Sequence, residues 1–378
     1  MNDLNSILNT KNLSPENIRF LLSLTNPEDI KQLARKSFNI TTNVLGNNVY
    51  YRGLIEFSNE CSCHCLYCGL RAGNTKVKRY RLTREQILDC ALWAATMGYG
   101  SCVLQAGEKR DEEFIGFVAD CVKDIKKRTR SEQLPEGLGI TLSVGEQSFE
   151  TYQRWREAGA HRYLLRMETS NPNLFAQLHP KNQRYEERLA CLASLRKAGF
   201  QVGTGVMIGL PGQTIEDLAN DVLFFKERSV DMIGMGPYIT HSESPLQGMG
   251  MMEKTSLMVL ALNMISVVRL VLNDVNIVAA TALQALDETG REKGIAHGAN
   301  VLMPNLTPFE ARRHYQLYEG KPCVEEGKES CTRCLQRRVQ TTGRTVGWNK
   351  WGDSLHSLKI NHKKLHGFFG KTSSLEKT

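Results

Sequence analysis

No stretch of this 378-residue sequence is apolar for long enough to cross a membrane uninterrupted. The nearest candidate, "LMVLALNMISVVRLVLNDV", is broken by Asn263, Ser266 and Arg269 and reads as a buried helix. The opening "MNDLNSILNTKN" lacks a basic start and an apolar core, so it is no secretory signal. Both absences point to the cytoplasm and exclude a membrane partner. A basic folded body is missing too. From Leu335 onward there are nine Lys or Arg against two Asp or Glu, which accounts for nearly all of the net +8. A duplex reader needs its positive face on the folded body, so no nucleic-acid partner is expected. No internal repeat is evident.

What is present is an alternation of strand and helix patterns. "YYRGLIEFSN", "SCVLQA", "GITLSVG", "RYLLRMET", "VGTGVMIGL", "DMIGMGPYI", "NIVAATAL" and "ANVLMPN" read as eight strands with helices between them. Strict alternation implies an α/β chain with a parallel sheet. Eight units predict a closed (βα)8 TIM-type barrel with chemistry at its C-terminal strand ends, and a doubly wound open sheet is the alternative. Two helical patterns precede the barrel, opened by Ser14-Pro15 and Asn26-Pro27. The expected division is a helical cap over residues 1–45, a barrel over 46–345 and a basic, solvated tail over 346–378. "TIEDL" opens one helix with a capping box, Thr214 and Asp217.

Eleven cysteines are many for a cytoplasmic chain, where close spacing signals metal or catalysis more often than disulfides. "CSCHCLYC" places four at 61, 63, 65 and 68. Cys61, Cys65 and Cys68 form C-x3-C-x2-C, and Cys63 is left over. Three thiolates on one short loop suit three corners of an iron–sulfur cube and leave the fourth iron open. Zinc is the competing occupant and needs a fourth ligand, for which His64 is nearest. Downstream, Cys323, Cys331 and Cys334 make a C-x7-C-x2-C set. It reads as a second iron–sulfur cluster, 2Fe-2S or 4Fe-4S, with zinc and a histidine such as His314 as the alternative. Cys90, Cys102, Cys121 and Cys191 sit in apolar patterns and read as core filler.

Other strand ends carry charge or space. In "RYLLRMET", Arg166 and Glu168 are two apart and so face one side of a strand. Such a pair aimed into a barrel is a structural ion pair or a cradle for a zwitterion. Arg188 adds a cation near the same end. "VLQAGE" ends the second strand in a tight turn at Gly107, and "GTGVMIGLPGQT" is rich in small residues that allow a flat ligand close approach.

The cysteine loop, with Tyr67 just before its last cysteine, resembles that of the radical S-adenosylmethionine (SAM) enzymes. Longer segments resemble the FeFe-hydrogenase maturation enzymes of the HydE family: "CLYCGLRAGN", "RYLLRMETSNP", "GLPGQTIEDL", "DMIGMGPYI", "GANVLMPNLTP" and "YQLYEGKPCV" follow in order. The likeness runs over roughly residues 15 to 345. It implies a 4Fe-4S cluster on Cys61, Cys65 and Cys68, and reductive cleavage of SAM to a 5′-deoxyadenosyl radical. It also implies SAM contacts at Tyr67, Gln105, Gly107, Thr141, Arg166, Glu168 and Arg188, and a substrate cavity lined by Thr281, Met303 and Tyr315. The implied substrate is a small molecule, an organometallic cysteine-bound iron carbonyl cyanide complex whose sulfur the radical attacks. The implied partners are a low-potential electron donor, ferredoxin or flavodoxin, and other hydrogenase maturases. Two positions depart from the family pattern: Ala106 replaces a glycine of the second-strand turn, and Ala280 stands where a threonine is frequent. A methylornithine synthase has a related barrel. A biotin synthase needs cysteines at several strand ends, whereas only Cys102 lies on an early strand, and inside it. A non-catalytic iron–sulfur scaffold is the reading from a different class.

Overall fold

Eight short strands, all paired in parallel, form the centre of the molecule: β1 (Asn48–Ser58), β2 (Ser101–Ala106), β3 (Gly139–Ser143), β4 (Arg162–Leu164), β5 (Gln201–Thr204), β6 (Met232–Ile233), β7 (Asn276–Ile277) and β8 (Val301–Leu302). The computed structural model describes residues 3–323 and 328–360. Consecutive strands are neighbours, and β8 pairs back onto β1. A parallel bridge between Val278 and Val301 joins β7 to β8, with Asn300 N–H donating to Ile277 O at 2.9 Å and Ala279 N–H to Val301 O at 3.0 Å. The sheet is therefore a closed TIM-type barrel, not the open alternative. All eight expected strands are found. Beyond β5 and β6 the chain pairs once more, Met207–Ile208 with Gly236–Pro237, on the same side as the cysteine loop.

The helices cover the outside because each buries one stripe. In Glu112–Arg128, Phe114, Ile115, Val118, Ala119, Val122 and Ile125 are buried at helical spacing. Its first turn is acidic and its last turn carries Lys126, Lys127 and Arg128, which complements the helix dipole. Each such large side chain contributes roughly 1.5–3 kcal/mol on burial, so the stripe outweighs any propensity term. Thr214 and Asp217 form the expected reciprocal cap, and Thr83 and Gln86 form another. The apolar helix Lys254–Val271 is long and apolar enough to span a membrane by length and composition, but most of it is buried here. Its Arg269 is fully buried and donates to the carbonyls of Gly298 at 3.1 Å and Val275 at 2.8 Å.

At the N-terminus, Pro15–Leu22 packs on the outer helices Ile215–Glu227 and Lys254–Val271, Pro27–Leu45 packs on Lys254–Val271, and Leu4–Asn9 packs on Pro27–Leu45. At the other terminus the expected tail boundary at 346 cuts through folded structure. Thr345–Val346 pairs in parallel with the start of β1, and Trp348 and Trp351 pack against the core. Asp353 reaches the barrel floor and ion-pairs with the fully buried Arg162. Residues 361–378 lie outside the described residues, as does the expected solvated tail on them. Cys90, Cys102 and Cys121 are buried and Cys191 half-buried, as core filler should be.

Candidate active site

Strand β1 runs straight into the cysteine loop. The β1–β2 register shifts between Glu56 and Ser58, a bulge that re-aims the strand end where the loop begins. The turn after β2 then grips the loop. Ser62 N–H donates to Glu108 O at 2.9 Å, and Glu108 N–H points at Cys61 Sγ at 3.3 Å. Gly107 has to be glycine, since a Cβ there would sit 2.2 Å from Glu60 O and 2.6 Å from Cys61 Cβ. Glu108 is itself a brace, accepting from Glu146 N–H at 2.8 Å and from Arg110.

The loop opens onto a cavity of about 330 Å³ at the C-terminal mouth of the barrel. Cys61, Cys63, Cys65 and Cys68 all line it. The Gln183 amide lies between two of them, 3.2 Å from Cys63 Sγ and 3.3 Å from Cys65 Sγ. A hydrogen bond from the Cys63 thiol holds Cys61 and Cys65 below the ordinary thiol range, and burial only partly opposes it. Cys63 is pushed up by the same contacts, and burial raises Cys68. Among the described residues no group of His, Cys, Asp and Glu is gathered as a single metal ion requires.

Across the cavity stand the charged residues. Arg166 Nη2 lies 2.8 Å from Glu168 Oε2, and Tyr67 OH is 3.4 Å from Glu168 Oε1. They do not face one way by strand alternation, because β4 ends at Leu164. Glu168 instead has φ +67°, a left-handed backbone that is strained for glutamate. It is pinned there by Glu168 N–H to Gly205 O and Met207 N–H to Glu168 O, both 3.0 Å. Arg188 is buried, bonded to Glu146 and to Arg166 O, and its guanidinium stacks 5.6 Å over Phe175. Gln105 donates to Tyr315 OH at 3.2 Å. Thr281, Met303 and Tyr315 all line the same space.

One expected contact is not brought there. Thr141 is absent from the lining, and its hydroxyl accepts from Arg162 Nε at 2.9 Å on the barrel floor. Ser143, two residues further along β3, faces the cavity instead. The small residues of "GTGVMIGL" also serve packing: a Cβ on Gly205 would lie 1.9 Å from Gly234 O. The second cysteine set is only partly described. Cys323 has φ +62° and its Sγ lies 3.4 Å from Arg291 Nη2, Cys334 is exposed, and the side chain of Cys331 lies outside the described residues.

Two cavity residues were missed by sequence reasoning. Glu56 and Lys321 form a buried ion pair in the wall, joined by Asn305 Nδ2 at 2.9 Å from Glu56 Oε2. Glu56 was findable, since Leu54, Glu56 and Ser58 alternate on one face of β1. Lys321 sits in an irregular segment with no local signal.

A closed parallel barrel with a C-x3-C-x2-C loop at its mouth defines the class of the radical SAM enzymes, and residues 55–225 match the family model of the radical SAM superfamily. The chain is also 42% identical over 346 residues to the [FeFe] hydrogenase maturase subunit HydE of Thermotoga maritima, covering 91% of this chain and 95% of that one. This chain belongs to the HydE family of radical SAM enzymes. It is 28% identical to the 3-methylornithine synthase of Methanosarcina barkeri over 78% of this chain and 80% of that one. The crystal structure of methylornithine synthase PylB superposes with a TM-score of 0.76 at 22% identity, covering 92% of this chain and 97% of that one. That of the maturase HydG gives 0.72 at 18% identity, over 90% and 74%. The class uses a 4Fe-4S cluster and SAM. The residues present fit both. Three thiols of the required spacing face one cavity. Opposite them stands the Arg166–Glu168 ion pair, with Arg166 Nε buried and without a hydrogen-bond partner, a cation and an anion matched to the carboxylate and ammonium of SAM.

Proposed function

We propose that this chain cleaves SAM reductively within the maturation of [FeFe] hydrogenase, acting on a small, cysteine-bound organometallic substrate held deeper in the barrel. Cys61, Cys65 and Cys68 hold the 4Fe-4S cluster, and Cys63 stays a protonated neighbour. Arg166, Glu168 and Arg188 orient the amino-acid end of SAM, with Tyr67 and the Gly107 turn closing its flanks. The cluster these residues would hold would supply the single electron for reductive cleavage of the SAM C5′–S bond to methionine and a 5′-deoxyadenosyl radical.

This chain's own residues supply orientation and exclusion of water. Glu56 and Lys321 are a charge pair already matched to each other, so they give the wall polarity without a net field. Thr281, Met303 and Tyr315 offer one hydroxyl, one polarizable sulfur and one phenol to the substrate. The barrel floor is closed by Asp353 and the two buried arginines, Arg52 and Arg162, so a radical formed at the mouth meets substrate before solvent. We assign the chain to the cytoplasm, where closely spaced thiols stay reduced. Other maturases are its partners, and a protein electron donor reduces it.

The observation that carries this reading is the facing arrangement: three spaced thiols on one side of the cavity and the Arg166–Glu168 ion pair, its Arg166 Nε left without a partner, on the other. The test is anaerobic incubation of the reduced, reconstituted protein with SAM, measuring 5′-deoxyadenosine against a Cys68→Ala control. No product above that control favours a non-catalytic scaffold. Conversion of lysine to methylornithine would reassign the substrate.

A further inference from the structure

The outer side of the cysteine loop reaches solvent, and the two chain segments that flank it carry an excess of positive charge. Ser62 and His64 are exposed. Ala72 N–H donates to Cys63 O at 2.7 Å, and Leu66 N–H to Leu178 O at 2.9 Å. The segments after Gly69 and after Leu178 thus form a collar on either side of the loop. From Cys61 to Arg81 the chain carries five Lys or Arg and no Asp or Glu; residues 179–184 add Lys181 and Arg184, again with no carboxylate.

Neighbouring elements neutralise only part of this charge. Lys76 pairs with Glu243 at 2.7 Å, and Arg81 with Glu60 and Glu113 at 2.9 and 2.7 Å. Arg184 has only Glu186 and Glu187 at 3.8 and 3.9 Å. Among the described residues Arg71, Lys78, Arg79 and Lys181 make no ion pair. Arg71 and Arg79 are held by backbone carbonyls, such as Glu243 O at 3.2 Å and Leu70 O at 2.8 Å, which fix the side chains without cancelling their charge. Lys78 and Lys181 are exposed.

An electron destined for a cluster on this loop has two approaches. The cavity side is taken by SAM and substrate and is closed at the barrel floor, so a protein cannot come that way. Because electron transfer falls off exponentially with distance, the donor must sit against the loop's outer side. We infer that this basic collar is the docking face for a protein one-electron carrier with an acidic surface around its redox centre. The inference rests on the proposed radical SAM function. The carrier is oxidised by one electron and the cluster reduced by one, with no bond made or broken and no proton moved. Charges on such a rim act mainly on association rate and its salt dependence.

The test uses the cluster-loaded full chain carrying Lys78→Glu and Lys181→Glu, two residues outside the cavity. Binding of oxidised flavodoxin, and separately of a low-potential ferredoxin, is titrated at low and high salt. Cluster reduction by each reduced carrier is followed by stopped flow. The expected result is at least tenfold weaker binding and slower reduction at low salt, with a flattened salt dependence. Cluster reduction by photoexcited deazaflavin, a small molecule, should stay within twofold, and Lys78→Arg with Lys181→Arg should match the parent. The single reversals provide the same comparison if the double variant fails to hold its cluster. Binding and reduction by both carriers within twofold of the parent would overturn the inference. So would an equal loss with deazaflavin. If the parent makes no 5′-deoxyadenosine with deazaflavin either, the radical SAM reading fails, while the carrier titration still reports on docking.

Discussion

Asp353→Ala is the sharpest test of how the barrel is closed. Two guanidinium groups lie inside the floor: Arg162 is fully buried and Arg52 is 3% exposed. Arg162 donates to Thr141 Oγ1 at 2.9 Å and Trp351 O at 3.1 Å, and Arg52 to Gly352 O at 3.1 Å. Asp353 is the carboxylate that meets this charge, with His161 Nε2 3.0 Å from the same oxygen. Removing one partner of a buried pair costs about 3–5 kcal/mol, because the remaining charge has no compensation. Since the Asp353 side chain is 21% exposed, water recovers part of this, and about 3 kcal/mol is expected. With an m-value of about 3 kcal/mol/M, the urea midpoint falls by about 1 M. Tryptophan fluorescence reads the transition, because Trp351 stacks 4.6 Å from His161 at the floor. The pH dependence follows. Burial works against the Asp353 carboxylate, but the His161 hydrogen bond and the Arg162 charge outweigh it and hold its pKa well below the usual range. A depressed carboxylate contributes fully above its unfolded pKa of about 3.9 and loses that contribution as pH falls through the lower folded value. The gap between parent and variant should therefore be level from about pH 5 to 8 and close only in stronger acid. A midpoint shift worth under about 0.5 kcal/mol, the size of an ordinary surface substitution, would refute the idea that Asp353 holds the floor shut.

Cys61→Ala, Cys65→Ala and Cys68→Ala should each lose bound iron and the visible absorbance of the cluster, while Cys63→Ser keeps both; equal loss in Cys63→Ser would mean that the ligand set is misassigned. Gly107→Val should retain the far-ultraviolet circular dichroism of the barrel yet lose iron, because its side chain would occupy the space of the Glu60 carbonyl and Cys61 Cβ; normal iron content in a folded variant would show the turn to be slack. Asp221 is buried and accepts from Ser170 N–H at 2.6 Å, and burial pushes its pKa up to about 7. The folded state then keeps a proton that the unfolded chain has already lost, so stability falls as pH rises from about 4 to 7. Asp221→Asn should remove that slope and raise Tm at pH 8 by an amount worth a few kcal/mol, on the order of 1.4 kcal/mol per pKa unit; an unchanged Tm difference between pH 5 and 8 would contradict it. Cys323→Ser should leave 5′-deoxyadenosine formation intact, measured under the same reducing conditions as the parent.

The sequence by itself determined the strand count, the parallel architecture and the cysteine loop. Each of these is a local or periodic signal: alternation of strand and helix, caps such as Thr214–Asp217, and thiols spaced three and two apart. It also set Arg166 beside Glu168, as the structure does, though for the wrong local reason, since the pairing depends on a left-handed glutamate and not on strand alternation. Only the tertiary structure decided the rest. Thr141 and Ser143 are equally good candidates in "GITLSVG", and which one faces the cavity depends on how deep β3 sits in the barrel. Lys321 meets Glu56 across 265 positions of sequence, and Asp353 meets Arg162 across 191. The terminal segment reads as a solvated basic tail, yet its single aspartate before residue 360 folds under the barrel. A charge buried in a closed barrel must find its counter-charge wherever the chain brings one, and no local pattern records where that will be.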